Sequence, residues 1–224
     1  MRQTENRKQK REKRKEDIVL IQNLRQDFIY KLDAGERRTI VMFLCEKGYQ
    51  NGKIKIIIKG NRSAIKLLGI IIGSGQQKIE LSTLQHHLQP ESKSYFYIKS
   101  ILFNQAKFDY RGLIRIEKGA QKSDAYLKSQ NLLMSPSVEV ENRPFLEISA
   151  NDVKCTHGVT IGKIDQQQLY YLTTRGLTNK EATKLLLLGF FQDVIQEIPQ
   201  ETLQIECKKK ISDIISKLLE RTNN

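Results

Sequence analysis

Cys155-Thr156-His157 is where the sequence sets two metal-type side chains at a usable spacing. On a strand, residues two apart share a face. A thiolate beside an imidazole can hold a soft or borderline metal, iron included. Two donors do not close a site, so His86 and His87, or a partner chain, would have to supply the rest. The plain alternative is a buried cysteine beside a surface histidine. Cys45 and Cys207 have no neighbouring ligand. Lys208-Lys209-Lys210 follow Cys207 and can favour its thiolate, but an ordinary helix position accounts for it equally. Cysteines this far apart, and odd in number, argue for a reducing compartment over a disulfide framework.

Enzyme signatures are missing. There is no phosphate loop ending in Gly-Lys-Ser/Thr, no Gly-x-Gly-x-x-Gly and no Gly-x-Ser-x-Gly elbow. Gly73-Ser74-Gly75 reads as a turn. Nothing in the spacing builds a triad around His87, and Asp109, Asp124 and Asp152 are not set out as a hydrolytic acid pair. No catalytic residue is assigned.

The elements around these residues fall into three stretches. Over about 5–32, Ile18, Ile21, Leu24 (or Arg25) and Phe28 recur at three- and four-residue steps, which predicts a helix ending at Asp33-Ala34-Gly35. From about 38 to 164, short apolar runs alternate with turn signals such as Asn51-Gly52, Gly60-Asn61 and Lys118-Gly119. Ile54, Ile56 and Ile58 share one side, and Leu113–Ile116 shows the same rhythm. Many short strands without intervening helices mean a sandwich, a barrel or a solenoid, and periodicity does not choose among them. After Asp165 helices are expected. Thr178-Asn179-Lys180-Glu181 is a capping box, and Ala182, Leu185, Leu186, Phe190, Val194 and Ile198 lead to Pro199. A second helix, about 202–221, carries Ile211, Ile214, Ile215, Leu218 and Leu219.

Charge is uneven. The 224 residues hold 38 Lys or Arg against 25 Asp or Glu, a net +13. Residues 1–16 carry eight basic side chains against Glu5, Glu12 and Glu16. Such an arm can bind nucleic acid by counterion release, the alternative function, although no aromatic residue interleaves it. No apolar run reaches the roughly 20 residues of a membrane-spanning helix, and the start leads into charge. The expectation is a soluble, cytoplasmic protein.

Longer strings carry a resemblance. Lys118–Tyr126, Asn131-Leu132-Leu133-Met134-Ser135, Pro144-Phe145-Leu146-Glu147-Ile148, Asn151–Gly158 and Gln168–Leu177 are similar to the core of the SufB/SufD family of iron–sulfur cluster assembly proteins. Leu81–His87 followed by Ser94 resembles the preceding coil. The likeness runs from about residue 54 to 200. It implies a mainly β protein, a right-handed parallel β-helix with a short N-terminal helix and a C-terminal helical subdomain. The expected division is 1–37 (basic helical arm), 38–164 (β-helix core) and 165–224 (helical subdomain). It further implies a non-enzymatic scaffold that binds a SufC-type ATPase through Thr178–Pro199 and the next helix. A SufB-type chain, or a second copy, would pair around Val138–Ile161. Lys154-Cys155-Thr156-His157-Gly158 resembles SufD, whose Cys and His stand at these positions. SufB has Glu where Gly158 stands and a cysteine near Val138. Cys155 and His157 thus become candidate metal or interface residues for iron or a transient cluster shared with a partner. Family members are usually longer, with more coils and a larger N-terminal region, and the predicted first helix would cap the open end of the β-helix.

Overall fold

The computed structural model describes residues 17–46 and 48–221. Its strands are β1 (Asp17–Ile21), β2 (Phe28–Leu32), β3 (Arg37–Leu44), β4 (Gln50–Ile58), β5 (Ala64–Gly73), β6 (Lys78–His87), β7 (Lys93–Leu102), β8 (Lys107–Ile116), β9 (Asp124–Leu133), β10 (Glu139–Ile148) and β11 (Lys154–Gly162). Helices α1 (Gln166–Thr174), α2 (Asn179–Gln196) and α3 (Glu201–Arg221) follow. Odd-numbered strands form a six-stranded sheet and even-numbered strands a five-stranded one, each in chain order. Every neighbouring pair is parallel. A chain that alternates between two sheets and advances one strand per turn is a parallel β-solenoid, as the resemblance implies.

The coils are unequal, which hides the repeat. Ala64, Lys93, Asp124 and Lys154 stand abreast, so successive coils take 29, 31 and 30 residues. Corner geometry repeats more faithfully than sequence. Gly35, Arg62, Glu91 and Lys122 all have positive φ at successive corners, as do Gly48, Gly75 and Asn104 at the opposite one. The corners also bond along the stack, Gly35 N–H donating to the Asn61 carbonyl and Glu91 N–H to that of Gln121. At Gly60 a Cβ would stand 2.0 Å from the Ala34 backbone nitrogen, so only glycine fits there.

Two apolar clusters hold the molecule together. Inward residues, among them Ile54, Ile56, Ile58, Phe96, Phe108 and Leu127, fill the solenoid. The second cluster lies outside it. Val41, Leu68, Ile70, Ile101 and Phe103 on the outer face of the six-stranded sheet meet Leu187, Phe191 and Val194 of α2 and Ile211 and Ile215 of α3. This explains the continuous apolar run Leu67-Leu68 and Ile70-Ile71-Ile72. Both faces of β5 are covered, so its pattern does not alternate. Lys99 of β7 anchors the contact, its ammonium bonded to Asp193 Oδ1 at 2.5 Å and to the Phe190 carbonyl, 4.4 Å from the Phe190 ring centre.

Two expectations change. The helix predicted over 5–32 is absent from its described part, where β1 and β2 form the first, shortened coil. Ile18, Ile21 and Phe28 are spaced for a helix face, but β1 and β2 each gain a parallel ladder on one side, to β3 and β4, and Leu24 is buried from the loop between them. The part before residue 17, and with it the basic arm, lies outside the described residues. On α2 the buried face is Ala182, Leu187, Phe191, Val194 and Ile195, with Leu185 exposed. Four consecutive leucines allow either face, and the apolar sheet beneath selects one. The capping box forms as read, Thr178 N–H donating to Glu181 at 2.8 Å and Glu181 N–H to Thr178 Oγ1 at 3.3 Å.

Candidate functional site

Both ends of the solenoid carry terminal strands, β1 and β2 at the first coil and β10 and β11 at the last, and they differ in how their apolar residues are covered. At the first coil Leu24 and Leu32 are fully buried and Gln50 caps the Leu24 N–H at 2.7 Å. At the last coil β10 and β11 are the terminal strands of their sheets. Phe145 is 51% exposed and Ile161 46%, and Leu146, Ile148 and Val159 are also in solvent. Cys155 and His157 belong to this end. Cys155 stands over Ala125 and His157 over Leu127, both inward-facing and buried residues of β9. The two side chains therefore share the inner face, as their spacing predicts, and lie on the terminal layer.

Cys155 is half-buried against the core, and that burial pushes its thiol above the ordinary range. His157 is exposed. No third ligand joins them: among the described residues no three His, Cys, Asp or Glu side chains are grouped to hold a metal. A protonated thiol and one imidazole do not make a closed metal site on this chain. The expected contribution from His86 or His87 is not made. His86 turns outward to Glu117 Oε1 at 2.8 Å. His87 is fully buried, with Nδ1 at 2.7 Å from Ser92 Oγ and Nε2 at 2.7 Å from Ser94 Oγ. Ser94 lies two strands below Cys155, about 10 Å down the stack at ordinary strand spacing. Burial lowers the His87 pKa to about 4, so His87 is a neutral core residue at neutral pH, held by two hydroxyls.

Cys45 and Cys207 pack on the helical side of the sheet, and burial raises both thiols despite Lys210 nearby. Cys207 is therefore the ordinary buried helix residue. Val138 is in the solenoid core, where a cysteine would also be buried.

A second exposed surface lies on the helices. Helix α1 buries no residue, and its Tyr170 is 72% exposed, with Tyr171 beside it in contact with Arg175. Leu185 of α2 and Ile205 of α3 are also exposed. Tyrosine and arginine in solvent are enriched at protein-docking faces, and the exposed Leu185 and Ile205 add apolar surface. The sequence contained this signal in Gln-rich helix α1, whose aromatic pair has no core partner.

The family model described as "SUF system FeS cluster assembly, SufBD core domain" matches residues 30–190, from within β2 into α2, and so includes the open end with Cys155 and His157 but not β1 or α3. The chain belongs to the SufB/SufD family. Among relatives, the iron–sulfur cluster assembly protein SufD of Escherichia coli K12 is 29% identical over 154 residues, 69% of this chain and 36% of that protein. SufD of Bacillus subtilis 168 is 30% identical over 148 residues, 66% of this chain and 33% of that protein. SufB of Bacillus subtilis 168 is 27% identical over 145 residues, 65% and 31% respectively. Within the SufB/SufD family the chain stands closer to SufD. It spans about a third of the length of these relatives. Among the described residues no helix is long and apolar enough to cross a membrane.

Proposed function

We propose that this protein is a SufD-like scaffold subunit of the SUF iron–sulfur assembly machinery, a binding component in the cytoplasm and not itself an enzyme. The open last coil carries this reading. It presents apolar side chains and two strand edges at the position where the family resemblance puts the junction with a SufB-type chain. Exposed apolar groups and unpaired edges are tolerated on a soluble surface when another chain covers them. The helical face with Tyr170, Tyr171 and Leu185 is the surface we assign to a SufC-type ATPase.

In this reading Cys155 and His157 face iron or a nascent cluster only within the junction. One chain supplies two donors and the partner supplies the remainder, which suits cargo that has to leave. Cys155 gives up its proton as metal binds, because the thiolate is the ligand.

Two substitutions test the two surfaces separately. Tyr170→Ser with Tyr171→Ser should weaken capture of the ATPase at least tenfold while the scaffold pairing persists. Unchanged capture would remove the helical surface from the proposal. His157→Ala should assemble normally and carry less iron after anaerobic purification, and equal iron in the variant would discard the site while leaving the scaffold.

A further inference from the structure

The five-stranded sheet of β2, β4, β6, β8 and β10 turns one face inward, where Ile54, Leu81, Tyr110 and Ile114 are buried. Alternation puts the intervening residues on the outer face, and the register aligns them in rows along the solenoid axis. The middle row reads Ile29, Lys55, Leu84, Leu113, Phe145. On one side of it stand Lys53, Ser82, Arg111 and Arg143, and on the other Lys31, Ile57, His86, Arg115 and Glu147. An apolar line thus runs between two rows in which cations outnumber anions. Its ends, Ile29 and Phe145, are more than half exposed. Parallel sheets usually have both faces covered, but α2 and α3 set their apolar residues on the other sheet.

The cations fall into two groups. Arg111, Arg143 and Arg115 pair with Asp109, Glu141 and Glu147 on the same sheet. Lys31, Lys53 and Lys55 have no ion pair among the described residues. Asp27, beside them, accepts the backbone N–H of Lys53 at 3.0 Å. Lys55 stands about 7 Å from each of the other two lysines, two along on its own strand and diagonally across to β2. Three neighbouring ammoniums without counter-charge are stabilised by a negative partner.

The six-stranded sheet shows what fits such a pattern. There Lys66 and Lys99 stand near Leu68 and Ile70 on the outer face, and α2 lies over them. Leu187, Phe191 and Val194 cover the apolar residues. Asp193 and Glu197, one helical turn apart, bond Lys99 at 2.5 Å and Lys66 at 2.6 Å.

We propose that the outer face of the five-stranded sheet docks an amphipathic helix of a partner protein, apolar along one stripe and carrying carboxylates at the end over Lys31, Lys53 and Lys55. Ile29 to Phe145 covers four strand spacings, about 19 Å, the length of a helix of about 13 residues. This chain does not supply that helix, in itself or in a second copy. Helices α2 and α3 are engaged on the other sheet, α1 has no acidic residue, and residues 1–16 carry eight basic side chains against three acidic ones. The proposal goes beyond the scaffold reading and does not depend on it.

Fluorescence anisotropy of a labelled, lactam-bridged helical peptide tests this on the full chain. The probe has about 14 residues, leucines at i, i+4, i+7 and i+11, and glutamates flanking the first two leucines. It should bind the wild type, and about tenfold or more weakly to a chain with Lys31→Glu, Lys53→Glu and Lys55→Glu. Leu84→Ser with Leu113→Ser should also weaken it, and so should lysines in place of the peptide's glutamates. Acetic anhydride footprinting of the wild type needs no variant. The peptide should slow acetylation of Lys31, Lys53 and Lys55 and leave Lys208 and Lys209 on α3 unchanged. Unchanged acetylation at those three lysines, equal binding by the triple variant, or equal binding of the lysine peptide would each overturn the proposal. So would tighter binding, through the same lysines, of a DNA duplex or of phosphatidylserine vesicles. None of these results bears on capture of the ATPase, which reads the helices.

Discussion

Lys99 and Asp193 hold the helices against the six-stranded sheet, and their unequal burial makes the two halves of the pair unequal in cost. The Lys99 side chain is 6% exposed and that of Asp193 is 53% exposed. Burial lowers the Lys99 pKa, opposed by Asp193. Asp193→Asn keeps the size and one acceptor oxygen but removes the charge that compensates a buried ammonium. One-sided removal of a buried pair costs about 3–5 kcal/mol. Because water reaches Asp193, the expected loss is smaller, about 2 kcal/mol. Lys99→Met is the milder change. The carboxylate left behind is half in water and still accepts from the Tyr97 hydroxyl and the Val194 N–H, while methionine fills the space between the Phe190 and Tyr97 rings. Its cost should be about 1 kcal/mol or less. The double variant should match Lys99→Met, because once the ammonium is gone the charge on Asp193 has little to compensate. Urea unfolding followed by far-UV circular dichroism measures all four proteins, and thermal midpoints should fall by about 4–8 °C for Asp193→Asn. A lysine variant less stable than the aspartate variant, or an Asp193→Asn chain within about 0.5 kcal/mol of wild type, would refute this account of the anchor.

Acid should weaken the solenoid through His87. Its folded pKa of about 4 lies below the ordinary 6.5, so the unfolded chain binds the proton first as pH falls. The neutral imidazole's contribution is complete above about 6.5 and is lost between there and 4, amounting to about 3 kcal/mol. Urea midpoints at pH 7, 5.5 and 4 should show this slope in the wild type and a shallower one in His87→Asn; equal slopes would remove His87 as the cause. Phe191→Ala, at a fully buried site between α2 and the sheet, should cost about 3–5 kcal/mol, and a loss under about 1 kcal/mol would mean that the helices do not rely on that contact. Cys155 should react slowly with iodoacetamide at neutral pH, because burial keeps its thiol protonated. Rapid labelling of the native chain at that residue would contradict the structure.

The sequence made the β body legible wherever one face of a strand meets solvent. Ile54, Ile56 and Ile58 alternate with lysines and a partly exposed isoleucine, and all three are buried. β5 showed only an apolar block, because α2 and α3 cover its other face. Ile18, Ile21, Leu24 and Phe28 misled, since a run of five-residue strands with a buried loop leucine leaves the same spacing as a helix. Choosing a solenoid over a sandwich depended on the family strings and not on periodicity, because the step from one coil to the next drifts between 21 and 32 residues. The shared face of Cys155 and His157 was readable from their two-residue spacing. No third ligand joins them among the described residues, so spacing alone could not say what would complete a site there.

The most direct test is anaerobic co-expression of this chain with the SufC-type ATPase and the SufB-type chain of the same cell, followed by size-exclusion of the purified complex and assay of iron and sulfide. The account predicts one stoichiometric complex containing all three chains and carrying iron and sulfide. A chain that elutes alone while the other two assemble and load without it would contradict the scaffold role.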